Sequence, residues 1–272
     1  MKNVLITGGA SGMGRATAIK LAKNGYRVFS CDIKTNETEV ENIVQLNVDV
    51  TSMESVKNAF EFVSSKTDKL DAVINFAGII MMNSLIEISE EDFIKIFNVN
   101  VFGAYRVNKT FFPLVKNGNG RIIITTSELA PNKILPFNAI YAISKKALDA
   151  YAQGLTMELG FLNIPVITLR PGAVETPIIK DSNSEMEVLN SNTVLYKNTI
   201  TKFKKIVDNE QGGAISPVKI ADLVLKILSK TRPKHIYVKN TSKKLKLLNI
   251  LPTKLQLKIF KMILGVKKDK HK

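Results

Sequence analysis

The chain has 272 residues, 45% of them hydrophobic and 23% charged, with a formal net charge of +15 and one cysteine. Length and composition suit a large globular domain with ample apolar surface to bury, and exclude wholesale disorder. The lone cysteine excludes an intrachain disulfide and a multi-cysteine metal cluster; it fits a reducing cytosol, so a cytoplasmic location is expected.

The first element predicted is a strand over 3–7 (NVLIT), because the apolar run after Met1-Lys2 is too short for a secretory segment. The turn TGGASGMG follows at 7–14 and opens a helix over 13–23. Gly8, Gly12 and Gly14 permit a tight turn and close backbone approach, so N–H groups at the helix start can meet a pyrophosphate. Ser11 and Met13 complete that cradle, and Ser11 places no cation on a phosphate. A second strand, 26–31 (YRVFSC), ends at Asp32, 18 residues beyond Gly14. A carboxylate there accepts hydrogen bonds from ribose hydroxyls and repels a 2′-phosphate, so NAD is expected over NADP. Lys34 is the neighbour that opposes this expectation. Cys31, ending an apolar strand, is expected to be a small buried hydrophobe.

Further strands are predicted at 43–48, 71–75, 121–126, 164–169 and 235–239, with helices at 52–65, 89–116, 138–161 and 217–229. Ser52 and Ser89 suit N-caps, without completed capping boxes. Repeated strand–helix units with Val-, Ile- and Leu-rich strands imply a doubly wound parallel α/β sheet, Rossmann-like, over 1–240. The stretch 177–215 lacks clean periodicity and is a candidate lid or substrate loop. On the helix at 138–161, Tyr141 and Lys145 stand four apart in YAISK and share a face. A free tyrosine has a pKa near 10, and a neighbouring ammonium is expected to lower it. His235 and His271 lack metal-ligand company, so no metal is expected.

These motifs, in this order, resemble the short-chain dehydrogenase/reductase family. The likeness runs from Met1 to about Asn240 through TGGASGMG, Asp32, Asp49-Val50, NFAG at 75–78, NVNVFG at 98–103, Ser127, YAISK and RPGAVET at 170–176. The resemblance implies Tyr141 as general acid/base and Lys145 as the cation that tunes it and holds the nicotinamide ribose. It implies Ser127 on the substrate oxygen and Asn100 holding a water behind Lys145. Asp49 and Val50 would flank the adenine; Asn75, Ala77 and Gly78 would line the cofactor cleft. Pro171, Gly172, Val174 and Thr176 would position the nicotinamide amide. Phe76 departs from the family's usual second Asn, and Thr126 competes with Ser127 for the catalytic hydroxyl. Glu128 either faces the pocket or is a solvated loop acid, and Asn98 is expected to cap or pack. The implied reaction moves a hydride between NAD(H) and a secondary alcohol or ketone. The implied assembly is a homodimer or homotetramer. A 3-oxoacyl thioester reductase is the runner-up, disfavoured by Asp32. A nucleotide-sensing binding protein or a membrane-surface adaptor on the same fold is the alternative of another class.

Charge is concentrated at the C-terminus. Residues 1–229 hold 25 Lys+Arg against 23 Asp+Glu, a net of +2, whereas 230–272 hold 14 against Asp269 alone, a net of +13. In the extension 241–272, Leu255, Ile259, Met262 and Ile263 share a helical face beside Lys254, Lys258 and Lys261. Such a helix within 243–264 lies against an anionic membrane, or packs its apolar face on the body or a partner subunit. Interleaved aromatics are missing apart from Phe260, so nucleic acid is not expected. The segment from Tyr237 to Pro252 loosely resembles the retinol- and steroid-dehydrogenase-like branch. This tilts the substrate towards an apolar molecule, which Leu129, Leu135 and Phe137 would suit.

Overall fold

The structure is a computed structural model that describes residues 1–35, 40–211 and 213–266. Its strands are β1 (Lys2–Thr7), β2 (Tyr26–Asp32), β3 (Ile43–Asn47), β4 (Ala72–Asn75), β5 (Arg121–Thr125), β6 (Val166–Pro171) and β7 (Ile236–Lys239). They form one parallel sheet in the order β3-β2-β1-β4-β5-β6-β7. The helices on its faces are α1 (Gly12–Ala22), α2 (Met53–Ser64), α3 (Glu90–Phe97), α4 (Gly103–Asn117), α5 (Ala139–Gly160) and α8 (Val218–Leu228). Between β6 and α8 lie α6 (Pro177–Asn192) and α7 (Lys197–Gln211); α9 (Lys243–Ile250) and α10 (Thr253–Ile263) follow β7.

The apolar strand composition is explained by burial on both faces. Val4 and Ile6 of β1 pack with Leu21 of α1 and Val224 of α8, while Leu5 faces the layer of α2, α4 and α5. All three strand residues are wholly buried. Sheet order reverses between β2 and β4 around β1, which opens a crevice beyond the carboxyl ends of those strands. The Gly-rich turn, the exit of β4 and the exit of β5 all lie at that end.

The structure departs from the predicted helix over 89–116. It is α3, a π-helical turn over Asn98–Phe102, and α4. Gly103 N–H donates to the Asn98 carbonyl, five residues back. A methyl group on Gly103 would lie 2.8 Å from Val50 Cγ2, so only glycine fits there without displacement. Ser52 and Ser89 cap α2 and α3, accepting from Ser55 and Asp92 N–H.

The segment 177–215, expected without regular structure, is mostly helical. It leaves the sheet after Thr176 and returns at Ile215, which bridges Val174, so the excursion begins and ends at one place. Its weak periodicity reflects packing against a small separate cluster: Met186, Leu189, Ile200 and Phe203 meet Met82, Phe137 and Leu264. Glu87 fixes the corner between α6 and α7, accepting from Thr193 Oγ1 and the Val194 and Leu195 N–H groups.

The turn before α1 has no spare room. A β-carbon on Gly14 would stand 2.0 Å from the Gly8 carbonyl oxygen. Gly14→Ala is expected to lower stability by about 1–3 kcal/mol through forced backbone displacement, read as a lower urea midpoint. An unchanged midpoint would contradict this packing.

Candidate active site

Backbone conformation explains the glycines of the turn. Gly8 has φ +69° and Gly12 φ +49°, both in the left-handed region. Gly9 N–H donates to the Cys31 carbonyl, which ties the turn to β2. Ser11 precedes α1 in extended conformation and makes no side-chain cap, and Met13 follows in the first helical turn. Helix-start N–H groups with no side-chain cap form an anion cradle. Asp32 lies beside it: one carboxylate oxygen accepts from Ala10 N–H at 3.0 Å, the other from Lys34 N–H at 3.2 Å. Lys34 is itself exposed. Cys31 is buried, and burial first, then the Asp32 charge, pushes its thiol up to about 12.

The opposite wall comes from β4 and its exit. A β-carbon on Gly8 would meet Ala77 N at 2.8 Å, and one on Gly12 would meet Thr176 Cγ2 at 2.9 Å. Asn75 is buried and donates to Asn108 Oδ1 at 2.8 Å. Phe76 joins the core beneath the turn, so its replacement of an Asn is a packing choice. Asp49 accepts from Thr51 N–H and Oγ1, and Val50 is buried against Gly103. Gly172 leaves no space for a side chain, since its β-carbon would stand 1.8 Å from the Asn240 carbonyl oxygen. Pro171 ends β6, and Val174 is buried.

The π-helical turn rotates Asn100 inward, where it is wholly buried. Its Oδ1 accepts from Ile79 N–H at 2.8 Å, and its Nδ2 donates to the Ile79 carbonyl and to Ser144 Oγ, both at 3.0 Å. Ser144 Oγ donates in turn to the Tyr141 carbonyl. Lys145 is buried, and Nζ donates to the Thr125 carbonyl at 3.2 Å. Gly78 lies against both: its β-carbon would be 3.1 Å from Asn100 Oδ1 and 3.4 Å from Lys145 Nζ. The Ser127 side chain is buried and acts to lower the Tyr141 pKa. Thr126 Oγ1 instead donates to Asp149 Oδ1. The expected depression of the Tyr141 pKa by Lys145 is not found. Burial pushes the phenol up to about 12 against the opposing effect of Ser127, and burial pushes the ammonium down to about 8. The physical reason is desolvation: each group sits where its charged form is costly, and Nζ is 5.8 Å from the tyrosine ring centre.

The short chain dehydrogenase family matches residues 2–187. The chain belongs to that family. It is a dehydrogenase/reductase by descent, with the nucleotide-binding fold of its relatives. The 3-ketodihydrosphingosine reductase of Bacteroides thetaiotaomicron is 29% identical over 231 residues, covering 85% of this chain and 84% of that one. The 3-amino-tetrahydro-pyrrolizinone reductase of Xenorhabdus hominickii is 30% identical over 268 residues, covering 92% of each. Among solved structures, an alcohol dehydrogenase of Thermococcus sibiricus complexed with 5-hydroxy-NADP is 25% identical, with a TM-score of 0.68 over 88% of this chain and 95% of that one.

The three pocket candidates are split. Leu129 and Leu135 are half-buried, with Leu129 N–H donating to Ser127 Oγ. Phe137, at φ +59°, is buried edge-on against Tyr196 and Phe203 and so builds the lobe under α6 and α7. Glu128 is half-buried: one carboxylate oxygen accepts from Ser242 N–H at 2.6 Å, and the other lies against Gly172. Asn98 does pack: its carbonyl accepts from Gly103 N–H and Arg106. Sequence reasoning missed the Arg170–Asp149 pair, bonded at 2.8 and 2.7 Å, which joins the end of β6 to α5. Its signal was spacing, since Asp149 lies four residues after Lys145 on α5. Among the described residues no group of three or more His, Cys, Asp or Glu side chains could hold a metal ion. His235 is exposed, and His271 lies outside the described residues.

Burial of Lys145 makes stability depend on pH. Its pKa falls from 10.5 unfolded to about 8 folded, so between those values the unfolded chain holds a proton that the folded chain has lost, and stability rises with pH. Cys31 acts in the opposite sense above pH 9. The difference between wild type and Lys145→Met isolates the lysine. From about pH 7.5 to 10 it is expected to move towards the wild type by on the order of 2 kcal/mol in urea unfolding. A difference that ignores pH would contradict the burial.

Proposed function

We propose that the chain is an NAD-dependent oxidoreductase that interconverts a secondary alcohol and a ketone on an apolar, lipid-like or steroid-like molecule. The observation that carries this reading is Lys145, buried one helical turn after Tyr141 on α5, with its Nζ on the Thr125 carbonyl two residues before Ser127. The glycine turn supports a dinucleotide, because its left-handed backbone and uncapped helix start fit a pyrophosphate. Gly8, Ser11, Gly12, Met13 and Gly14 would hold the phosphates, Asp49 and Val50 the adenine end, and Asn75, Ala77 and Gly78 the floor. Pro171, Gly172, Val174 and Thr176 would fix the carboxamide end. Asp32, bonded to the turn at Ala10, supports NAD: its carboxylate suits ribose hydroxyls and opposes a 2′-phosphate.

When bound, the nicotinamide supplies or accepts the hydride. Tyr141 holds its proton at neutral pH because burial raises its pKa. In reduction it gives that proton to the carbonyl oxygen, and in oxidation it takes the proton back. Ser127 donates a hydrogen bond to the same oxygen while charge develops there. Lys145 offers N–H donors to ribose hydroxyls, and Asn100 holds a water behind it. The half-buried Leu129, whose N–H donates to Ser127 Oγ, favours an apolar substrate. The Bacteroides relative, by its name a reductase of a sphingoid ketone, supports the same class.

The test is a spectrophotometric screen of apolar alcohols and ketones with NAD(H) and NADP(H). Tyr141→Phe is expected to lower kcat by at least about 100-fold, and wild-type oxidation to accelerate with rising pH as the phenol yields its proton. Unaltered turnover in the variant would remove the acid/base assignment; preference for NADP(H) would remove the Asp32 argument. The reading includes a homodimer or homotetramer. The exposed Phe102 just before α4, Tyr105 on it, Met157 on α5 and Phe161 just after it support it. Light scattering is expected to give at least twice the 30.2 kDa chain mass; a monomer would refute it.

A further inference from the structure

We propose that the outer surface of α9 and α10 is a docking face for an anionic lipid bilayer. This inference stands apart from the catalytic reading and uses no turnover measurement.

The helices are anchored to the body through their inner sides. Gln256 and Leu264 are buried, and Phe260 joins the cluster that contains Met82, Phe137 and Phe203. These three positions recur at i, i+4 and i+8 and form the packed face of α10. Gln256 Nε2 donates to the Leu248 and Leu251 carbonyls at 2.7 and 2.9 Å, which fixes the corner between the two helices. Asn249 Oδ1 accepts from Lys133 N–H, and Lys133 Nζ donates to the Leu251 carbonyl. With Glu128 on Ser242 N–H, the extension is bonded to the segment that follows Ser127.

The apolar face that the sequence left to a membrane or to packing is therefore not the one that packs on the body. Leu255, Met262 and Ile263 remain 42, 74 and 51% exposed, and Ile259 is half-buried. Leu247 and Ile250 of α9 are 65 and 80% exposed. Around them Lys243, Lys244, Lys246, Lys254, Lys258 and Lys261 are all exposed, and no acid occurs between 241 and 266. Among the described residues packing is met by Gln256, Phe260 and Leu264, so most of this second apolar face is left exposed. Among the described residues no helix is long and apolar enough to cross a membrane, so contact is with a surface.

Charge complementarity selects the occupant. A second copy docking the same face on itself would set Lys254, Lys258 and Lys261 of one copy against those of the other. A nucleic acid would pair with the lysines but leave Leu247, Ile250 and Met262 in water. A bilayer with anionic headgroups answers both, taking the apolar side chains into the headgroup–acyl boundary and the ammonium groups among phosphates.

The test is cosedimentation of the full-length protein with phosphatidylcholine vesicles, with and without 30% phosphatidylglycerol. Binding is expected to the anionic vesicles, weak binding to the neutral ones, and loss in high salt. Lys254→Gln/Lys258→Gln/Lys261→Gln and Met262→Ser/Ile263→Ser are each expected to weaken binding by about tenfold or more. Their melting temperatures should stay near the wild-type value, because these side chains face away from the packed cluster. If Met262→Ser/Ile263→Ser does not fold, the lysine variant, which keeps every apolar contact, decides alone. No binding to anionic vesicles, or binding that survives the lysine variant, overturns the proposal. So does binding to duplex DNA, or self-association through this face, in place of lipid.

Discussion

One buried amide organises the catalytic side of the molecule. Asn100 accepts from and donates to the backbone of Ile79 and also reaches Ser144, so a single side chain joins the exit of β4 to α5. A regular helix from 89 to 116 would place residue 100 elsewhere, and the π-helical turn supplies the rotation. Unpaired, a wholly buried amide would cost about 1–3 kcal/mol. Because it is paired on all these groups, the same interaction holds the helix that carries Tyr141 and Lys145. Gly78, beside both Asn100 and Lys145, brings the floor of the nucleotide crevice to that point.

Desolvation then sets the protonation of the site. Tyr141 and Lys145 are pushed in opposite directions, each towards its neutral form, and Ser127 only partly offsets this for the phenol. A tyrosine that keeps its proton is suited to acting as an acid in reduction. Sequence spacing puts the two side chains on one helical face. It carries no information on how much water each retains, and water decides the sign of the shift.

The C-terminal extension shows how periodicity can mislead about direction. Its apolar residues occupy more than one stripe, and only neighbours determine which stripe is inward. Leu264 and Phe260 turn in because the lobe of α6 and α7 offers Ile200 and Phe203, while Met262 and Ile263 stay outside. The lobe was equally illegible beforehand: 177–215 packs on Met82 and Phe137, which are far away in the chain.

The sequence by itself determined the parallel α/β sheet, the glycine turn, Asp32 at the end of β2 and the Tyr141–Lys145 pair. These are local matters: apolar runs of strand length, positions that need a left-handed backbone, and a four-residue helical repeat. Ser127 over Thr126 was legible only from the order of motifs; in the structure Thr126 is bonded to Asp149. Tertiary structure alone decided the π-helical turn, the bond from Glu128 to Ser242, the pairing of Arg170 with Asp149 and the outward face of α10. Each depends on groups distant in sequence meeting in space, and on which of them exclude water when they meet.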